Sequence, residues 1–329
     1  MAVETLLVTG ATGFVGSHVL AVCQREAPQR LRVLVRKDTD ARRLEAQGIS
    51  CVRGSLESAE ALAEAVAGAD AVLHLAAATK ARTPDEYQRA NVAGTQKVVE
   101  AMLAAEPRPK RLIYLSSLAA VGPSRNGRPV ERDDLPAPLT AYGRTKLAGE
   151  KVVLAVAGEL EVAVLRAPAV YGPRDRDVFE FFRMARMGIL LLPSGPERRL
   201  QMIHAADLAR ALLMAATAEG AVGVYHVAEA RSYLWTEMAH MVAEAVGRKA
   251  KLLRVPPALI AGAAAVSEVA AGFVGKSTIF NRDKARELLA PGWLCETELA
   301  RRDFGFEAHI PLQAGLKETA DWYRANGWL

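Results

Sequence analysis

The chain has 329 residues, of which 51% are hydrophobic and 24% charged, with a formal net charge of +5. That length suits one large unit or two closely joined ones, and the balance excludes a disordered or fibrous chain. The basic excess is spread out, and the Arg pairs at 42–43, 198–199 and 301–302 lack interleaved aromatics, so no nucleic-acid partner is expected. Cys23, Cys51 and Cys295 are few and unevenly spaced, which predicts neither a disulfide framework nor a metal site. The N-terminus enters a strand at once, leaving no room for a signal peptide, so a cytoplasmic location is expected.

Val3–Thr9 reads as a first buried strand and Gly16–Arg25 as the helix after it. Between them stand Gly10, Gly13 and Gly16. Glycine lets a backbone turn tightly and meet a ligand with no Cβ in the way, and the free amides of a helix start attract a pyrophosphate. The spacing is T-G-x-x-G-x-x-G rather than the G-x-G-x-x-G of ordinary dinucleotide folds. Thr9, Gly10, Thr12, Gly13, Phe14, Val15 and Gly16 are the expected cofactor contacts.

Leu31–Val35 is a second strand, followed by Arg36 and Lys37 where NAD-preferring folds carry an acid for the ribose hydroxyls. A guanidinium there can bind a 2′-phosphate, so NADP is the expected cofactor, with NAD possible. Arg42 or Arg43, in the Asp40–Gln47 helix, could reinforce it. The third strand, Ile49–Arg53, leads to Ser55 and Leu56 as further cofactor contacts, and a Ser58–Val66 helix follows. The fourth strand, Ala71–Ala76, runs into Ala76, Ala77 and Ala78, small enough for a ribose to lie against the backbone. His74 reads as a core histidine rather than a catalyst. A long helix, Pro84–Ala105, breaks pattern near Gly94, and a break there would free the Asn91 side chain.

The fifth strand, Arg111–Ser116, ends at Ser116-Ser117, on the edge where doubly wound folds bind ligands. Thr140 caps a Thr140–Val156 helix on which Tyr142 and Lys146, four apart, share a face. A tyrosine ionises near pH 10, and a neighbouring ammonium together with the nicotinamide cation favours the phenolate, so Lys146 with the cofactor is expected to lower the Tyr142 pKa. A sixth strand, Val162–Arg166, leads to Pro168 and Val170. Alternation of this kind predicts an α/β fold, a doubly wound parallel sheet (Rossmann), over residues 1–170, rejoined by about 202–227. Residues 171–329 are expected to form a smaller, mostly helical substrate lobe, with a helix around Phe179–Met187, a strand at Met202–His204, a helix at Asp207–Ala216 and a last strand at Val224–Val227. The apolar stretch 255–275 is only marginal as a membrane span. It reads as a buried helix or helix pair over the substrate, or as a surface segment meeting a lipidic substrate; no stable membrane insertion is expected.

TGATGFVG, HLAA, NVAGT, LSSLAAVG, Tyr142 with Lys146, and RAPAVYGP occur in order. Together they resemble the extended short-chain dehydrogenase/reductases, the NAD-dependent epimerase/dehydratase group with its 3β-hydroxysteroid dehydrogenase-like and dihydroflavonol reductase-like enzymes. The resemblance implies a catalytic set of Ser117, Tyr142 and Lys146, with Asn91 completing a proton relay. Ser117 is chosen over Ser116 because it stands five before Gly122. Tyr142, Lys146, Ser116, Pro168 and Val170 would also touch the cofactor, and a homodimer through paired helices is common in the family. Leu118-Ala119 stands where sugar dehydratases carry Asp-Glu, and no asparagine follows the sixth strand as in nucleotide-sugar epimerases. The expected function is an NADP-dependent oxidoreductase of a carbonyl or secondary alcohol in an apolar small molecule. A nucleotide-sugar epimerase holding NAD, or a non-catalytic sensor, is the alternative.

Overall fold

Seven of the strands form one all-parallel sheet, and their carboxyl ends build the site. The computed structural model describes residues 3–27, 29–273 and 280–329. The strands β1 (Thr5–Thr9), β2 (Arg30–Val35), β3 (Ser50–Arg53), β4 (Ala71–His74), β5 (Arg111–Ser117) and β6 (Glu161–Ala167) are joined by Gly223–His226. Their order across the sheet is Gly223–His226, β6, β5, β4, β1, β2, β3. The register pairs Thr9 with His74 and Ser117 with Ala167, so the ends of β1, β4, β5 and β6 finish along one edge.

Successive strand residues face opposite sides, and both sides are covered. Leu6, Val8, Val33, Leu73 and Ile113 meet α1 (Phe14–Glu26), α2 (Asp38–Glu45) and the later helix Ala205–Thr217. Leu7, Leu34, Val72, Leu112 and Tyr114 meet α3 (Ala59–Val66), and, beyond α4 (Pro84–Gln88), α5 (Gly94–Ala104) and α6 (Ala141–Leu154). A separate core lies in the C-terminal part. There Phe182 of α7 (Phe179–Arg186) packs with Tyr233, Leu316 and Tyr323, reaching past α8 (Ala205–Thr217) to α9 (Trp235–Ala245). The C-terminal part is mostly helical, with α10 (Pro257–Phe273), α11 (Arg282–Leu289), α12 (Glu298–Phe304) and α13 (Leu312–Ala325).

Three expectations change. The single helix expected over 84–105 is α4, a π-helical turn at Arg89–Ala93, and α5. The run after α7 is a strand, Ile189–Pro193, whose parallel partner is Lys251–Val255, some 60 residues away and invisible to local pattern. The stretch expected as a buried helix is α10, and it is not buried. Ala264 is inside, but Leu259, Val266 and Val269 are 63%, 70% and 54% exposed. Val274 and Gly275 of that stretch lie outside the described residues. Among those residues no helix is long and apolar enough to cross a membrane.

Candidate active site

The glycine turn is required by contact, not only by flexibility. Gly10 has φ of +74°, and a Cβ on it would lie 2.7 Å from the Ala76 nitrogen. A Cβ on Gly16 would lie 2.3 Å from the Gly10 carbonyl oxygen. Three backbone segments thus touch where a side chain would push them apart. Gly13 opens α1 with no side-chain cap and no acid in the first turn. The first-turn amides and the positive end of a 13-residue helix therefore face the edge beside exposed Thr12 and Gly13. This cradle, which a Cβ would fill, fits a dinucleotide pyrophosphate.

A buried polar chain holds the cradle against β4. The Ala76 amide donates to Thr9 Oγ1 at 3.4 Å, and Thr9 Oγ1 lies 2.7 Å from His74 Nδ1. His74 Nε2 lies 3.0 Å from Thr95 Oγ1, whose hydroxyl donates to the Asn91 carbonyl at 2.9 Å. The Thr95 proton is thus committed, so Nε2 carries the ring proton and Nδ1 accepts from Thr9. Burial, with Lys146 nearby, pulls His74 down to about 3, so the ring is neutral. Asn91 sits in the π-helical turn, where its Oδ1 accepts from the Ala78 amide at 2.7 Å. Its amide donates to the Ala78 carbonyl and to Thr145 Oγ1, both at 3.1 Å. With both protons so placed, Asn91 fastens the Ala76–Ala78 segment to α6.

α6 starts at two caps. Gly143 N–H donates to Thr140 Oγ1 at 3.0 Å, and Ala141 N–H to Asp283 Oδ2 at 2.7 Å, bringing α11 over the helix start. Ser117 Oγ accepts from the Ala119 amide at 3.2 Å, and its nearness to the Tyr142 phenol favours the phenolate. Burial outweighs that contact and holds the Tyr142 pKa above the ordinary tyrosine range. Lys146 is not among the groups that chiefly shift it. Its Nζ donates to the Leu115 carbonyl at 2.6 Å and lies 4.0 Å from the centre of the Tyr114 ring. Burial lowers Lys146 to about 7, and Glu150 opposes that fall. The expected lowering of the Tyr142 pKa by Lys146 is therefore corrected for this chain by itself: desolvation dominates both groups.

Ser116, expected at the cofactor, instead hydrogen-bonds to Glu150. Glu150 also takes two bonds from Arg166, at 3.0 and 2.8 Å, in a pair almost fully buried. A motif reading missed this ion pair under the site. The available signal was a carboxylate at i+4 from Lys146 and i+8 from Tyr142, on a face that must be inside. Tyr87, whose ring centre lies 6.3 Å from that of Tyr142, was missed as well.

At the end of β2, Arg36 and Lys37 are exposed. Arg42 pairs with Asp38 and Arg43 with Asp40 at 3.9 Å, both in exposed positions. Asp38 is also held by Arg53 at 2.9 Å. Ser55 Oγ accepts from the Glu57 amide at 3.2 Å, and Leu56 packs against Gly94. Pro168 is buried and Val170 half-buried just past β6.

Residues 6–228 match the NAD dependent epimerase/dehydratase family. The ceramide reductase of Caulobacter vibrioides is 33% identical over 324 residues, covering 98% of this chain and 95% of that one. The 2-alkyl-3-oxoalkanoate reductase of Stenotrophomonas maltophilia is 30% identical, covering 95% and 97%. Among solved structures, MoeE5 in complex with UDP-glucose and NAD superposes with a TM-score of 0.76 at 26% identity, covering 98% of this chain and 99% of the other.

Proposed function

The chain belongs to the NAD-dependent epimerase/dehydratase family and is an NAD(P)-dependent enzyme of the extended short-chain type, and from that premise we propose that it is an NADP-dependent reductase of a ketone in a long-chain, largely apolar molecule. One observation carries the reading. The Ser117 hydroxyl lies beside the half-buried Tyr142 phenol at the sheet edge, while Leu118 and Ala119, both buried, stand where elimination of water would need an acid and a base. When bound, the nicotinamide cofactor supplies or accepts the hydride. Ser117 donates a hydrogen bond to the substrate carbonyl oxygen, and Tyr142 holds the proton that this oxygen takes up. Tyr142 is protonated at neutral pH, so it serves as the acid of reduction. Lys146, tied to Leu115, is placed to hold the cofactor ribose and to supply positive charge.

Arg36 and Lys37 support the NADP preference, since Asp38, the nearest acid, is neutralised by Arg42 and Arg53. Arg166 supports reduction over nucleotide-sugar chemistry: with its guanidinium buried on Glu150, it has no reach toward a nucleotide. The names of the two reductases above, a ceramide and an alkyl-oxoalkanoate enzyme, favour an acyl-chain substrate. The test is NADPH and NADH oxidation with long-chain 3-oxo compounds, beside UDP-glucose. NADPH-dependent turnover of the oxo compounds is expected. Tightly bound NAD released on denaturation, with UDP-glucose converted and no cofactor added, would replace this reading with an epimerase.

A further inference from the structure

Eight large hydrophobic side chains are exposed among the described residues, and six fall in two stretches: Met187, Ile189 and Leu191, then Leu259, Val266 and Val269. The fold joins the stretches. Ile189 stands opposite Lys251 and Leu191 opposite Leu253 in the parallel pair, and paired residues share a face. Ile189 and Leu191 point outward, while Leu190 and Leu192 are buried beneath. The second strand runs from Val255 through Pro256 directly into α10. α10 holds one charged residue, Glu268, and its carboxylate accepts from the Arg282 amide at the start of α11, at 3.0 Å. Leu259, Val266 and Val269 are exposed on this helix, and Glu268, exposed as well, is its one charge.

The rim is basic. Arg186, Arg248, Lys249 and Lys251 are exposed, whereas their neighbours Arg183 and Arg254 are paired with Glu180 and Glu197. The Lys251 amide donates to the Gly188 carbonyl at 2.8 Å, which sets this basic segment beside Met187 and Ile189. An apolar facet with a single carboxylate, tied to the Arg282 amide, and with unmatched cations at its edge suits an anionic bilayer: apolar side chains enter the acyl boundary and the cations meet phosphates. A two-fold contact with a second copy would bring the same cations toward each other.

We propose that the Ile189–Leu191 facet and α10 form a docking surface for an anionic lipid bilayer, on which the protein lies without crossing it. α11 packs on α10 and caps α6 through Asp283, so the surface is one helix away from Tyr142. As a route for an apolar substrate it rests on the reductase reading; as a lipid contact it stands alone. The test is co-sedimentation of the full chain with phosphatidylcholine vesicles, with and without phosphatidylglycerol. Binding to the anionic vesicles is expected, weakening with salt. Val266→Asp should weaken it about tenfold, and Lys249→Glu on the order of fivefold or more, with far-UV circular dichroism unchanged. No binding by the unaltered chain, or binding indifferent to both substitutions, overturns the proposal. So does a dimer in analytical ultracentrifugation that Val266→Asp dissolves, which assigns the face to a second copy. Vesicle binding without ketone turnover leaves the docking surface and removes the reductase; turnover without vesicle binding does the reverse.

Discussion

The turn Gly10–Gly16 and helix α10 are both rich in small residues, yet smallness does opposite things in them. In the turn, Cβ atoms on Gly10 or Gly16 would stand 2.3–2.8 Å from backbone atoms of neighbouring segments. In α10, a Cβ on Gly262 meets nothing within 4 Å. The first stretch is small because other parts of the chain occupy the space. The second is small over open surface, with α11 packed on it. The regions beneath them differ in kind as well. The catalytic edge rests on committed polar groups, from Thr9–His74–Thr95 to Ser116–Glu150–Arg166, whereas the only charge of α10 is a helix cap.

The contrast can be broken or sharpened by substitution. Glu150→Ala leaves the Arg166 guanidinium buried without its carboxylate, and chemical denaturation should record a loss of about 3–5 kcal/mol. A loss within experimental scatter would mean that the catalytic edge does not depend on its ion pair. Tyr142→Phe should cut turnover by about a hundredfold or more with unchanged stability, the usual scale for a general acid; near-normal turnover would remove the phenol from the mechanism. Gly16→Ala adds a methyl where backbone already stands. It should destabilise by about 1–3 kcal/mol despite the better helix propensity of alanine, and fluorescence titration should record weaker NADPH binding.

The fourth prediction concerns pH. Burial lowers Lys146 to about 7 from the ordinary lysine range. Above about 7 the folded chain therefore binds fewer protons here than the unfolded chain. This group's contribution to stability rises with pH from about 7 toward the unfolded lysine value, and below 7 its burial penalty is fully present. If the ammonium serves catalysis, kcat/KM should fall as pH rises through about 7; the same limb in a Lys146→Met protein would assign it to another group. The smallest effect is expected from Gly262→Ala, a gain of up to about 1 kcal/mol in Tm-derived stability with turnover unchanged. A loss there would show that α10 is covered more closely than its exposure implies.

Much of the site was legible because its requirements are local. Gly10 and Gly16 announce a tight turn, and Tyr142 and Lys146 lie one helical turn apart wherever their helix packs. Ser116 and Ser117 show the limit. They are adjacent and chemically identical, but they meet α6 at different levels, Ser116 at Glu150 and Ser117 beside Tyr142. Asn91 and Arg42 show partners that local pattern does not reveal: Ala78 with Thr145 for the first and Asp38 for the second.

The sequence by itself determined the alternating strands and helices, the glycine turn and the residue types of the catalytic edge, since periodicity, φ preference and helical spacing act over a few residues. Tertiary structure alone decided that Ser116 turns to Glu150, that burial rather than a lysine dominates the ionisation of Tyr142, and that the most apolar helix faces outward. Each of those outcomes depends on partners dozens of residues away, and on how much water the finished packing leaves beside them.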